Sequence, residues 1–353
     1  MGFNSLQIDT PRFPFPVETL MNNQDANPIN DAGHKETMPA NKFALSKWIR
    51  RFLFLLAVLA ALWMIADFVY SRVVARNLAN WEESIERRES GIQIGGEPFS
   101  IGNETCDVAI LMIHGINETP HAYQKIAPAV SNRGLYCRAM LVNGFGMPLA
   151  DYRDSTIDDW LSSVDKELLA LKKQYKTVIL AGHSLGGAIA IQYALLHPDS
   201  VDGLILAAPA IGISDSRSPF FSVKTWHSIL NRTLVFSEVT QSPFGIDAVD
   251  KSERQSIMRM PFTPRKVIDQ TFEMMDRNHN REKDLRMPVL MLLAKQDKVI
   301  DNNAAKNFFN KLPNAKNRMV EFENSAHAIL VDFDWPNVAI EIAKFAKMRL
   351  NAK

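Results

Sequence analysis

An excess of charge of either sign is the first thing this sequence lacks: 40 Lys and Arg stand against 39 Asp and Glu in 353 residues, a formal net charge of +1. Holding a nucleic acid means neutralising phosphates with surplus Lys and Arg, so the balance argues against a nucleic-acid partner. There is no Gly-rich phosphate loop, because Gly186-Gly187 belong to the turn described below, and the acidic residues are too scattered for metal-ligand spacing. Neither a metal nor another cofactor is expected. Cysteine is scarce, with two in the whole chain. Cys106 and Cys137 fall near the starts of two strands expected to be neighbours, where a disulfide is an option outside the cytosol and two buried free thiols are the default.

One long hydrophobic run is present, near the N-terminus. Residues 1–46 are polar, with Pro, Asn, Gln and Asp, and predict a disordered tail. Residues 52–66 are then uninterruptedly apolar, and Phe68-Val69-Tyr70 extends the run past Asp67. A helix over 49–70 is long enough to cross a bilayer, which takes ~20 residues. A soluble core helix is not apolar on all sides for such a length, and a signal peptide seldom lies behind so long a polar segment. A transmembrane anchor is therefore expected over 47–70. Lys42, Lys47, Arg50 and Arg51 precede it with no acidic residue among them, whereas Asp67, Glu82 and Glu83 offset Arg72 and Arg76 after it. By the positive-inside rule the protein is single-pass, with a cytoplasmic N-terminus and a catalytic domain outside the cytoplasm, periplasmic in a bacterium. A helical stalk is expected over 71–91. An antiparallel hairpin, Ile92-Gln93-Ile94 with Pro98-Phe99-Ser100-Ile101, is expected to open the domain at 92–350.

The most informative stretch is Gly182-His183-Ser184-Leu185-Gly186, followed by Gly187. Thr177-Val178-Ile179-Leu180-Ala181 before it is short, β-branched and apolar, as in a strand buried on both faces of a parallel sheet, and 188–196 after it reads as a helix. Ser184 thus sits on a tight strand-to-helix turn where flanking glycines remove the Cβ atoms that would clash. A serine that only caps the helix is the plainer reading of this motif. A nucleophilic serine needs a histidine to take its proton and an acid to orient that histidine.

Both are found downstream, each beyond an apolar run. The strand pattern Pro288-Val289-Leu290-Met291-Leu292-Leu293-Ala294 opens into Lys295-Gln296-Asp297, and catalytic groups of open α/β sheets collect at that edge. Asp297 is the better candidate for the acid, and Asp301 is more simply the N-cap of the next helix. His327 lies on the loop after the short strand Arg318-Met319-Val320-Glu321-Phe322, where the general base belongs. The N–H groups of Leu185, after the nucleophile, and Ile116, after the strand that ends in His114-Gly115, are the candidate oxyanion hole. His114 is expected to hold that loop by hydrogen bonds, and His183 to pack.

These blocks, with Asp158-Asp159-Trp160 and Gln296-Asp297-Lys298-Val299-Ile300, resemble the α/β-hydrolase superfamily, and within it bacterial carboxylesterases and monoacylglycerol-lipase-like or lysophospholipase-like enzymes. Asn143-Gly144-Phe145-Gly146 departs from that pattern, since many of those enzymes carry Gly-His-Gly there. The resemblance covers about 108–348. It implies an α/β fold with a mostly parallel sheet flanked by helices, and ester hydrolysis through an acyl-enzyme on Ser184, Asp297 and His327.

It also implies a cap over the active site, matching the long insert at about 213–286. That insert is rich in aromatic and Met side chains, among them Phe220, Phe221 and Trp226, which are expected to line an apolar pocket for a lipid-like or medium-chain ester such as a monoacylglycerol or lysophospholipid. Two other readings share the fold. A proline-iminopeptidase-like aminopeptidase needs cap carboxylates, for which Glu238, Asp247 and Asp250 are available; a non-catalytic, membrane-tethered binding module needs no triad. The oligomeric state is not legible in the sequence.

Overall fold

The computed structural model describes residues 46–242 and 244–350. The tail expected over 1–46 lies outside the described residues, Ser46 apart. The chain divides into two units, Met1–Phe54 and Leu55–Lys353, and the described part of the first is the start of a helix.

That helix, α1 (Lys47–Ser84), is one unbroken element, so no break separates the expected anchor from the expected stalk. Among the described residues it is the one helix long and apolar enough to cross a membrane. Among the described residues nine strands follow: β1 (Phe99–Gly102), β2 (Val108–Ile113), β3 (Tyr136–Met140), β4 (Thr177–His183), β5 (Gly203–Ala207), β6 (Val239–Gln241), β7 (Phe262–Pro264), β8 (Val289–Ala294) and β9 (Arg318–Phe322). Seven of them form one sheet in the order β1-β3-β2-β4-β5-β8-β9. Every neighbouring pair in it is parallel except β1 with β3. The central strands β2, β4, β5 and β8 are buried at every residue, which is why they read as continuous apolar runs, while the edge strand β1 alternates. The expected hairpin does not form. β1 pairs with β3, and Gln93 makes only an isolated bridge to Arg87. Cys106 and Cys137 are free, near the starts of the adjacent strands β2 and β3, and burial pushes the Cys137 thiol up to about 12.

Helices α2 (Ile126–Ser131), α3 (Leu149–Asp154), α4 (Ile157–Lys172), α5 (Leu185–Leu196), α6 (Val223–Thr233), α7 (Arg265–Asn278), α8 (Asn302–Asn310) and α9 (Trp335–Leu350) complete the fold. α4 starts with a capping box in which Thr156 accepts from the Asp159 N–H and Asp159 accepts from the Thr156 N–H. Asp159 is therefore a cap, while its neighbour Trp160 is fully buried. Asp301 caps α8 by accepting from the Asn303 N–H at 2.8 Å. α5 is buried along its length apart from Leu196, and a central helix of this kind is apolar on all sides.

The insert at 213–286 carries α6, α7 and the two-stranded β6–β7 sheet, and α1 packs on it. Asp67, which interrupts the apolar run, is 3% exposed and accepts the N–H groups of Val235 (2.6 Å) and Phe236 (2.9 Å) as well as the Ser237 hydroxyl. Trp63 donates to the Thr233 carbonyl at 3.1 Å and Phe68 meets Phe236 edge-on. Large apolar side chains between Trp48 and Ile65 remain exposed.

Candidate active site

The parallel register assembles the site. Ile113 lies opposite Gly182, so the loop after β2 and the turn after β4 emerge side by side. Ala294 lies opposite Phe322, which does the same for the loops carrying Asp297 and His327. All four segments leave the carboxyl edge of the sheet, where ligands of open α/β folds collect.

Ser184 occupies φ 52°, ψ −118°, a conformation that L-residues rarely adopt. The chain is pinned there by the closeness of its neighbours. A Cβ on Gly182 would stand 2.2 Å from the Gly186 carbonyl oxygen, and one on Gly186 would stand 2.1 Å from that of Ile113. Leu185 is the first residue of α5, so its N–H has no earlier helical carbonyl to meet. Ile116 is the second residue of a turn closed by the Glu118 N–H on the Gly115 carbonyl (3.3 Å), with Asn117 at φ 62° in third place. A turn of this shape leaves the N–H of its second residue unused by the turn itself. Asn117 accepts from the Tyr152 hydroxyl and donates to that of Thr263, each at 2.6 Å, fixing the loop to the body of the domain and to the insert.

His327 Nδ1 and Asp297 Oδ2 are 2.8 Å apart. The other oxygen of Asp297 accepts the N–H groups of Val299 (2.7 Å) and Ile300 (2.9 Å). Burial alone raises the Asp297 carboxyl, but the His327 charge and these hydrogen bonds outweigh it and hold it below its usual value. A carboxylate accepting from Nδ1 leaves Nε2 of His327 as the proton acceptor. Ser184, His327 and Ile116 line one cavity of ≈ 220 Å³.

Phe220, Phe221 and Trp226 are not among the lining residues. Phe220 is 94% exposed, Phe221 is 50% exposed, and Trp226 packs edge-on against Phe221. The apolar part of the lining comes instead from residues such as Ile213, Val223, Phe244 and Ile246. An aromatic count over the insert could not distinguish side chains that face the cavity from those that face outward.

Of the charged part of the lining, the sequence reading named Asp247, as a cap carboxylate available to an amino terminus, and not its partners. Arg217 and Asp247 form an ion pair, and Asp247 also accepts the N–H groups of Lys298 (2.9 Å) and His327 (3.4 Å). Glu118, beneath the Ile116 turn, accepts from the Gly115 N–H at 2.8 Å and lies 3.1 Å from His183 Nδ1. His183 Nε2 is 3.0 Å from the His327 carbonyl oxygen. Both acceptors lack a proton, so both ring nitrogens donate and the ring is an imidazolium. Burial alone raises the Glu118 carboxyl, yet the His183 charge and hydrogen bonds bring it to about 2; burial alone lowers His183, yet Glu118 leaves it raised. His183 is thus part of a buried ionic link between two site loops, beyond the packing role expected for it. The only local signal for Glu118 was an acid placed three residues after Gly115.

His114 is neutral, brought down to about 4 by burial. It accepts the Val142 N–H at Nε2 (3.1 Å) and meets the Gly115 carbonyl through Nδ1 (3.0 Å), holding its loop. Phe145, within the departing Asn-Gly-Phe-Gly block, packs edge-on against the His114 ring.

Residues 105–334 match the family model described as serine aminopeptidase, S33. A thermostable monoacylglycerol lipase of Bacillus sp. (strain H-257) is 25% identical over 246 residues, covering 69% of this chain and 91% of that protein. A carboxylesterase of Bacillus subtilis (strain 168) is 20% identical over 240 residues, covering 68% and 92%. Among solved structures, a monoacylglycerol lipase from Paleococcus ferrophilus superposes with a TM-score of 0.61 at 20% identity, covering 71% of this chain and 98% of that one. With its mostly parallel sheet and its serine elbow after β4, the chain belongs to the serine aminopeptidase, S33 family of the α/β-hydrolase superfamily.

Proposed function

We propose that the protein is a membrane-anchored serine hydrolase that cleaves lipid-like carboxylic esters, such as a monoacylglycerol, a lysophospholipid or a medium-chain ester, through an acyl-enzyme. The observation that carries this reading is the Asp297–His327 contact at 2.8 Å on the same cavity as a serine held at φ 52°. His327 takes the proton of Ser184 as its oxygen attacks the ester carbonyl. The N–H groups of Ile116 and Leu185 receive the oxyanion, aided by the positive end of α5, and His327 returns the proton to the departing alcohol. Water, activated by the same histidine, then releases the acid. Asp297 remains ionised throughout and stabilises the imidazolium that forms at each step.

The aminopeptidase alternative needs a carboxylate free to receive an amino terminus. The cavity-lining carboxylates among the described residues are Glu118 and Asp247, and both are already engaged, by His183 and by Arg217. That favours the ester reading. In the anchor, the exposed apolar side chains from Trp48 to Ile65 form the membrane-embedded part, and the turns around Asp67, whose neighbours Phe68, Val69, Tyr70 and Val73 are also exposed, hold the insert at the bilayer surface, on the extracytoplasmic side.

A panel of p-nitrophenyl esters of graded chain length, run beside amino-acid anilides, tests the chemistry. Turnover of esters and labelling of Ser184 by a fluorophosphonate are expected; cleavage of the anilides alone would overturn the reading. Retention of the protein in the membrane pellet after carbonate washing tests the anchor.

A further inference from the structure

The charges that line the cavity do not balance. Glu118 is held by His183 and the Gly115 N–H, and Asp247 by Arg217. Two lining cations then remain, Arg259 and Lys298, whose side chains make no hydrogen bond or ion pair with any described residue. Lys298 is at the exposed rim, but Arg259 is half-buried. A guanidinium carries five N–H donors and a charge that is costly to bury without a partner. Its backbone is fixed: Arg259 bridges to Glu118, and the next residue, Met260, donates its N–H to the Asn117 carbonyl at 2.8 Å. Arg259 is therefore held in register with the turn that carries Ile116.

We propose that Arg259, with Lys298 at the rim, forms an anion subsite, and that the substrate is a single-chain acyl ester whose alcohol portion carries a phosphate. This rests on the ester-hydrolase reading above. A hydrocarbon acyl chain bears no charge, so the anionic group belongs to the alcohol. A phosphate monoester, with a charge near −1.5 to −2, matches two uncompensated cations, and the planar fork of Arg259 binds it through two parallel hydrogen bonds. The apolar part of the same cavity is left for the acyl chain.

The test uses the full chain in detergent and compares a 1-acylglycerol with the corresponding 1-acylglycerol 3-phosphate, both with one short acyl chain so that neither aggregates. In the wild type, kcat/KM is expected to favour the phosphate by roughly 10- to 100-fold, the worth of charge-assisted hydrogen bonds. Arg259→Gln is expected to bring that ratio close to one, and Arg259→Lys to retain part of it. Inorganic phosphate is expected to inhibit p-nitrophenyl ester hydrolysis competitively in the wild type, which keeps the test open should Arg259→Gln not fold. A wild-type ratio of one or less, or a ratio unchanged by Arg259→Gln, overturns the subsite. If Ser184 is labelled by a fluorophosphonate and the neutral ester is cleaved without preference, only the subsite falls. If neither ester is cleaved and Ser184 is not labelled, the ester-hydrolase reading falls with it.

Discussion

Replacing Glu118 by Gln tests the ionic link that joins the Ile116 turn to the His327 loop. In the wild type the carboxylate accepts from the Gly115 N–H (2.8 Å) and from His183, whose other nitrogen donates to the His327 carbonyl (3.0 Å). The side-chain amide of the Glu118→Gln variant can still accept from Gly115 but supplies no negative charge, so the buried His183 ring gives up a proton. A neutral imidazole has one N–H and must leave either the amide oxygen or the His327 oxygen without its partner. The loss is that of one hydrogen bond to a charged group, about 1.5–3 kcal/mol. Removing the side chain altogether, as in Glu118→Ala, likewise leaves His183 neutral but also takes away the acceptor of the Gly115 N–H and opens a cavity, so it should cost more than Glu118→Gln.

The pH dependence separates this link from ordinary packing. Glu118 has a folded value of about 2, below its unfolded value, so its contribution is complete above about 4.5 and is lost as pH falls toward 2. His183 is raised in the folded state, so its contribution is complete below about 6.5 and is lost as pH rises through its folded value. The difference in melting temperature between wild type and Glu118→Gln, followed by circular dichroism, should therefore be largest between about pH 4.5 and 6.5 and smaller on both sides. A difference that is flat from acid to alkaline pH, or one worth less than about 0.5 kcal/mol at pH 6, would refute the ionic account.

Three other positions address the proposed chemistry and its scaffold. Ser184→Ala should abolish ester turnover with little change in folding, and activity within about tenfold of wild type would remove Ser184 as nucleophile. Ser184→Gly should be inactive and also more stable than Ser184→Ala by about 1 kcal/mol, because glycine adopts φ 52°, ψ −118° without strain; a lower melting temperature for the glycine variant would show that the turn is not strained. Asp297→Asn should lower kcat by about four orders of magnitude, since the amide presents His327 with the wrong tautomer, and steady-state kinetics showing a loss under tenfold would exclude it as the orienting acid. Gly186→Ala places a Cβ 2.1 Å from the Ile113 carbonyl oxygen, a backbone atom that cannot swing aside, so soluble, folded protein should not be recovered on expression.

What was legible in the sequence and what was not divides along a physical line. β4 and β8 are covered on both faces, so their apolar runs announced them, and Ser184 and Asp297 lie at their ends within a few residues of a recognisable signal. The glycines around Ser184 were equally local, because the crowding that excludes a Cβ arises within one turn. Groups whose meaning depends on a distant partner were not legible. Glu118 is explained only by His183, 65 residues on, and Asp247 only by Arg217 and the loops of Lys298 and His327.

Asp67 is the sharpest case. In the sequence it is a charge near the end of the expected membrane span, costly wherever it faces lipid. In the fold it holds the backbone of 235–237 and no longer needs to face lipid at all. The same distinction bears on Phe220 and Phe221, which do not line the cavity. Hydrophobicity measures what a side chain gains by leaving water, and both a cavity and a bilayer can supply that gain. Only the topology of the insert decides between them, and it turns these two rings outward, on the insert that α1 also grips, while lining the cavity with other apolar side chains, Ile213, Val223, Phe244 and Ile246, beside the charged Arg217, Asp247 and Arg259.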